Sequence, residues 1–375
     1  MKTLYSLFFI ALTTIVMAQT NQQANNNNKF AFELSKTLSS KTENVFISPY
    51  SISSALAMTY LGAKNNTKTV MENTMHYDKN TTKNFKSLNK TMKSYNDSNL
   101  ALDIANALWI EKDFKLKFCF KRKNKKYFKS AVYPKTTADE INKWASDNTN
   151  DKIKEIVDDN DVKSSKLILT NAVYFNAEWK YPFITKSTRK DKFTTADNKE
   201  VKVDMMFHKE KYKYFENKGL QAIELPYKGD NLSMIVIMPK TDISNFNLNN
   251  YTDVINGLKT EEIKLYLPKF EFESSFKLKD ALSTLGMKEA FTPSADYSGI
   301  SKQKLFISNV IHKTYIGVNE KGTEAAAVTA VLMRLTSAKP HSTKEFKVNR
   351  PFIVIIKDMK TNSILFMGSI VNPNL

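Results

Sequence analysis

One large domain of the α+β class is what this sequence predicts, and its strands are the most direct part of that reading. Lys304–Asn319 and Glu345–Ile356 are rich in β-branched and aromatic residues, the composition of strands. Between them run about 25 residues with neither a helical apolar stripe nor a Gly-Asn turn. A compact domain rarely keeps so long a connection unless it is functional or disordered. No Gly/Ser/Pro-rich linker divides the chain, so its mature length reads as one domain, and a hydrophobic share of 42% is enough for a sizeable core.

The connection, Glu320 to Pro340, reads EKGTEAAAVTAVLMRLTSAKP. Disorder fits it poorly, because Ala325–Leu332 has almost no charge and no solubilising polar repeat. Thr323, Ala325, Ala327 and Thr329 are all small and share one side of an extended chain. Such a face fits between two existing strands over a packed core without steric conflict. The segment reads as an exposed loop that is also a strand in waiting. Composition alone suits a helix equally, since Glu324–Leu332 holds good helix formers.

From the N-terminus, Lys2, the apolar run Leu4–Val16 and Val-Met-Ala before Gln19 make residues 1–18 a signal peptide, too short to anchor in a bilayer. The mature protein is therefore expected to be secreted and extracellular. Gln19–Asn28 (QTNQQANNNN) reads as a polar, disordered lead-in, which leaves 29–375 for the domain. Then come NVFISPYSISSALAMTYLGA (Asn44–Ala63), INKWASDNTNDKIKEIV (Ile141–Val157) and LILTNAVYFNAEWKYPF (Leu167–Phe183). AIELPYKGDNLSMIVIMP (Ala222–Pro239), LPKFEFESSFKLKDALSTLGMKEAF (Leu267–Phe291) and ADYSGI (Ala295–Ile300) follow, and FKVNRPFIVII (Phe346–Ile356) and LFMGSIVNP (Leu365–Pro373) close the chain. In order and spacing these segments resemble those of the serpins. The first is similar to the family's strand and buried helix with a Ser-Pro-x-Ser pattern, the second to the amphipathic helix that crosses the main sheet. The third is similar to the central strand, and the last two to the C-terminal signature and closing strand. EKGTEAAAVT closely resembles the hinge of inhibitory serpins, in which the exposed segment is the reactive-centre loop. One departure lies between Tyr127 and Asp139, where the link into the sheet-crossing helix is shortened and carries Tyr133-Pro134.

The resemblance implies the serpin fold: α+β, three β-sheets, about eight to nine helices and an exposed reactive-centre loop at about 320–345. It also implies a function, that of a metastable, suicide-type inhibitor of serine or cysteine proteases. The protease would cut one loop bond, stay acylated, and be carried to the far pole as the freed arm inserts into the main sheet, an order change of which serpins are themselves a known case. The hinge would comprise Glu320, Gly322, Thr323, Glu324, Ala325, Ala326, Ala327 and Thr329, with Thr323 entering first and Val328 on the outward face. Ser48, Ser51, Asn171 and His312 would form the buried polar cluster beneath the opening of the main sheet. Trp179 would stand at the top of that sheet, where the loop enters. Counting from Glu320 by the family's spacing places the scissile bond at Thr336–Ser337, which suits an elastase- or subtilisin-like protease. Arg334 and Leu335 are the rivals, for trypsin-like and papain-like enzymes.

Bond-making chemistry is not expected of this chain. It has no Gly-x-Ser-x-Gly elbow and no Gly-Lys-Ser/Thr phosphate loop. His76, His208, His312 and His341 show no metal-ligand spacing with one another or with Cys119, so neither metal nor cofactor is expected. The lone Cys119 excludes an internal disulfide. Formal net charge is +18, or +17 without Lys2, and such charge attracts polyanions. Only four of the 56 basic residues are Arg, the side chain favoured for phosphate. Neither nucleic acid nor membrane is expected as a partner, and the protein is expected to be a monomer. The densest basic patch is Lys115–Lys129 (KLKFCFKRKNKKYFK). It makes Lys121, Arg122, Lys123, Lys125 and Lys126 candidates for a glycosaminoglycan or other polyanion, against the plainer reading of a solvated helix face. The alternative to inhibition is a non-inhibitory member of the same fold, a carrier, chaperone or storage protein, or else a polyanion-binding module.

Overall fold

A computed structural model describes residues 21–129, 131–323 and 343–375. The chain opens with α1 (21–38), β1 (Val45–Ile47) and α2 (Pro49–Tyr60), then α3 (Asn65–Met75), α4 (Thr81–Lys93) and β2 (Leu100–Ile110). Next come α5 (Phe118–Phe128), β3 (Ala131–Pro134), α6 (Ala138–Asp147), α7 (Asp159–Lys163) and β4 (Leu167–Glu178). The middle holds β5 (Arg189–Thr194), β6 (Glu200–Glu216), β7 (Leu220–Pro226), β8 (Leu232–Pro239), α8 (Leu248–Gly257), β9 (Lys259–Pro268), β10 (Phe270–Lys277) and α9 (Lys279–Leu282). Last are β11 (Asn309–Val318), β12 (Gly322–Thr323), β13 (Lys344–Lys347), β14 (Phe352–Asp358) and β15 (Ile364–Ile370). No helix among the described residues is long and apolar enough to cross a membrane.

Strand pairing gives a six-stranded main sheet, β10-β11-β12-β4-β2-β3, and a nine-stranded sheet, β1-β15-β14-β8-β7-β6-β9-β13 with β5 on β6. Three sheets were expected, and β6 explains the count. Its first residues pair with β5, Met205–Tyr214 with β9, and Lys213–Glu216 with β7, so one 17-residue strand joins two of the three layers through continuous hydrogen bonds.

The core lies between the sheets, and α2 runs through it with all twelve residues buried. The Ser-Pro-x-Ser pattern is legible here as capping. Ser48 accepts the Ser51 N–H at the N-terminus, and Pro49 occupies the first turn, where its missing N–H has no intrahelical acceptor to lose. On the opposite face of the main sheet α6 packs Ile141 and Ala145 against Ile168, Ala172 and Ile311.

Several boundaries differ from the sequence reading, and β11 begins at Asn309, five residues after Lys304. The disordered lead-in is helical from residue 21, because its asparagines find partners. Asn26 donates to His76 O at 2.8 Å, and Asn28 donates to Asn362 O and accepts from Ile364 N–H, both at 2.8 Å. The amphipathic run Ile141–Val157 is helical only to Asp147. Asn150 and Asp151 take left-handed backbones, which side chains of that kind tolerate, and residues 152–157 fold back as a strap over the sheet. Glu345–Ile356 is two strands, because Pro351 interrupts the ladder. The shortened link at Tyr133-Pro134 becomes edge strand β3, a position a proline can hold, with Tyr133 stacked 4.7 Å from Trp109.

Candidate functional site

The main sheet is divided along one line. In its lower half β11 and β4 pair directly and parallel, Asn309 with Ile168 through Thr314 with Val173. Above that level they part, and β12 stands between them, antiparallel to both. Thr323 pairs with Val318 on one side and Ala177 on the other, and Gly322 with Glu178. The flanks keep one register throughout: Val318 is level with Ala177 above, just as Thr314 is level with Val173 below.

Gly322 is fixed by close approach. A Cβ there would lie 2.1 Å from Ala177 O, a distance no side chain tolerates. Thr323 is buried, and its Oγ1 lies 2.7 Å from the Tyr227 hydroxyl. Tyr227 stacks on Trp179 with centroids 4.6 Å apart and 9° between the planes, and burial pushes its phenol well above the ordinary range. Trp179 donates its indole N–H to Asn319 O at 2.9 Å and its backbone N–H to Lys321 O at 2.8 Å. Glu320 is also buried. It accepts from the Thr188 hydroxyl at 2.8 Å and pairs with Lys269 at 3.1 Å. Burial alone would raise its pKa, but its own backbone amide, Thr188 and Lys269 outweigh that and hold the carboxylate below its usual range.

Where β11 and β4 meet lies a second constellation. His312 and Asn171 are both 0% exposed, and His312 Nδ1 lies 2.5 Å from Asn171 Oδ1. His312 Nε2 accepts the Ser48 N–H at 3.0 Å, so Nδ1 carries the proton and donates to Asn171. Asn171 Nδ2 donates to Ser51 Oγ and to Asn106 Oδ1, and Ser48 Oγ donates to Leu365 O at 2.7 Å. Burial drives the His312 pKa down to about 3, so the ring is neutral at physiological pH.

The structure thus brings Ser48, Ser51, Asn171 and His312 into one network. Trp179 stands apart from them at the hinge with Glu320, Gly322 and Thr323, at the top of the sheet. Glu324, Ala325, Ala326, Ala327 and Thr329 lie outside the described residues, as do Arg334, Leu335, Thr336 and Ser337 and the segment 1–18. Tyr227, Asn319, Lys269, Thr188 and Asn106 were not legible as site residues. Each sits in an ordinary strand or connection, and only the fold carries it to the hinge or the cluster. Lys121, Arg122, Lys123, Lys125 and Lys126 are all exposed on α5, turned away from the buried Phe120 and Asn124, and none has an ion pair among the described residues.

A family model described as serpin (serine protease inhibitor) matches residues 25–373. The chain belongs to the serpin family. An uncharacterized serpin-like protein of Methanosarcina acetivorans is 38% identical over 373 residues, covering 92% of this chain and 87% of its own length. A leukocyte elastase inhibitor of Xenopus laevis is 35% identical, covering 92% and 97%. Among solved structures, the thermophilic serpin tengpin in its native state is 32% identical with a TM-score of 0.87, covering 93% of this chain and 94% of that one. The α+β serpin fold is thus common to sequence relatives and structural neighbours, and some of those relatives are protease inhibitors.

Proposed function

We propose that this serpin is a secreted, suicide-type protease inhibitor that traps its acylated target by inserting the cleaved loop into the main sheet. One observation carries the reading: Gly322 and Thr323, near the start of the loop, already form a strand, antiparallel to both neighbours, at the mouth of the line along which those neighbours would part. Continuing that register, Ala325 falls level with Phe175 and Ile316, Ala327 with Val173 and Thr314, and Thr329 with Asn171 and His312. All of these levels face the main core, where the small side chains of the hinge fit. Because the flanks keep one register, insertion needs them to separate laterally without sliding. Insertion must break the direct β11–β4 ladder and with it the His312–Asn171 bond, and Thr329 brings a hydroxyl, donor and acceptor together, to that level. Val328 falls level with Ala172 and Lys313, on the face covered by α6 and its strap, where Lys313 holds Glu155 O at 3.0 Å. The outward face is therefore occupied at that level, and the strap must yield as the strand enters.

The trapped enzyme would be held with its active site distorted, and loss of oxyanion-hole geometry alone slows such chemistry by about 10²–10³. Incubation of the full chain with pancreatic elastase, subtilisin, trypsin and papain tests the reading. A complex stable in denaturing gels with one of them supports it, whereas cleavage of the loop by all four with no complex rejects it.

A second reading, the carrier, is favoured by one cavity of about 650 Å³. Its lining includes Phe32, Ile243, Phe246, Ile353 and Met367, with Arg350 among its polar groups. The exposed cations of α5 support a polyanion partner under either reading, and salt-sensitive retention on heparin, lost when Lys121, Arg122 and Lys125 become Ala, is its test.

A further inference from the structure

The chain reverses between β11 and β12 through four residues, Asn319-Glu320-Lys321-Gly322. Asn319 N–H donates to Gly322 O at 3.0 Å, which closes the turn. Tight hairpin turns ordinarily depend on central residues that accept positive φ, Gly, Asn or Asp. Here the central pair is Glu320-Lys321, and neither has a positive φ. The support comes instead from the Asn319 side chain. Its Oδ1 accepts the Lys321 N–H at 2.9 Å and the Gly322 N–H at 3.3 Å. The turn's carbonyls are held from the other side, Asn319 O and Lys321 O by Trp179 and Glu320 O by the Phe183 N–H at 2.8 Å. The segment just after β4 thus supplies the donors to these three carbonyls, and one carboxamide accepts from the Lys321 and Gly322 amides.

We propose that Asn319 is a positioning residue for loop insertion, an inference that rests on the inhibitory reading and deepens it. Its carboxamide holds the reversal closed before a protease arrives, so the first rungs of the new strand, at Gly322 and Thr323, exist in advance. A strand that grows from a closed turn adds one pair at a time, whereas an open hinge must first close the turn at an entropic cost. Insertion competes with hydrolysis of the acyl-enzyme, so the head start appears in how many inhibitor molecules are cut for each one that traps.

Two variants of the full chain test this, Asn319→Ala and Asn319→Asp, the second keeping an acceptor oxygen at the same place. With whichever protease of the panel the wild type traps, Asn319→Ala is expected to raise the ratio of cleaved to trapped inhibitor about ten-fold, equivalent to about 1.4 kcal/mol. The rate of first cleavage should be unchanged, and Asn319→Asp should return the ratio to near the wild-type value. An alanine variant that partitions like wild type overturns the proposal, and so do alanine and aspartate variants impaired equally. Hydrogen exchange on the intact proteins reads it without a protease. The amides of Lys321, Gly322 and Thr323 should exchange faster in Asn319→Ala while those of β4 and β11 keep their protection. Unchanged exchange at all three overturns the proposal. A wild type that traps none of the four proteases while Asn319→Ala still frees these amides rejects the inhibitory reading and leaves the positioning of the turn standing.

Discussion

Thr323 Oγ1 and the Tyr227 hydroxyl are 2.7 Å apart, and the two residues are 1% and 0% exposed. Among the described residues each is the other's only side-chain hydrogen-bond partner. A loop that begins here begins inside the protein, with its first buried hydroxyl already satisfied.

Thr323→Val keeps the shape and leaves the Tyr227 phenol buried without a partner, which costs about 1–3 kcal/mol. Adding Tyr227→Phe should recover most of that loss, as urea unfolding of both single variants and the pair would show. Equal stability of the single valine variant and the wild type would mean that the hydroxyl pair holds nothing. Thr323→Arg goes further, because insertion must then bury an unpaired charge. Loop cleavage should continue at a similar rate while the trapped complex disappears from denaturing gels. Undiminished complex would rule out insertion as the mechanism.

Cleavage of the loop should raise the melting temperature of the whole protein. In the intact state β11 and β4 are joined directly only from Asn309 to Thr314 and Ile168 to Val173. A complete new strand would pair with both along their length. Ordinary nicking of a loop leaves stability unchanged or lowers it. Calorimetry before and after complete cleavage within residues 332–338 decides, and identical melting temperatures would count against metastability.

Stability should fall with acid through the titration of His312. Its folded pKa is driven down to about 3 by burial, against an ordinary value of 6.5. Below pH 6.5 the unfolded chain therefore binds a proton that the folded chain refuses. The loss begins near pH 6.5, grows as pH falls towards 3 and is absent above neutrality, reaching on the order of 4 kcal/mol. His312→Gln should be less stable at pH 7 and show a flatter fall between pH 6.5 and 4, as urea midpoints across that range would reveal. A wild type and variant with parallel pH profiles would show that this ring is not the titrating group.

The cut is expected between Thr336 and Ser337. Continued in the register of Thr323 on Ala177, Thr336 falls level with Ser164, just beyond the first residue of β4 at Leu167. The inserted arm would then run the whole strand, about 43 Å at 3.3 Å per residue. Mass spectrometry of the C-terminal peptide released under denaturing conditions identifies the bond. A complex with trypsin that Arg334→Ala abolishes and Thr336→Arg leaves untouched would move the assignment to Arg334.

The sequence by itself determined the family and pointed to Ser48, Ser51, Asn171 and His312 of the buried cluster, though not to Asn106. Ser48-Pro49 announces a capped helix start, and the alternating small side chains from Thr323 onward read as a strand in waiting. Both are local patterns, written in neighbouring residues. The tertiary structure alone decided what those patterns meet. It placed Tyr227 over Thr323, Lys269 and Thr188 on Glu320, and the strap after α6 across the outer face, from elements far apart in the chain. It also made residues 21–28, disordered by composition, the start of a helix, because Asn26 and Asn28 reach backbone groups near His76 and Ile364. The reason is the same throughout. Periodicity and capping depend on residues within a turn or two of each other, whereas the partner of a buried polar group is whatever the fold brings within hydrogen-bonding distance, and no local pattern encodes that.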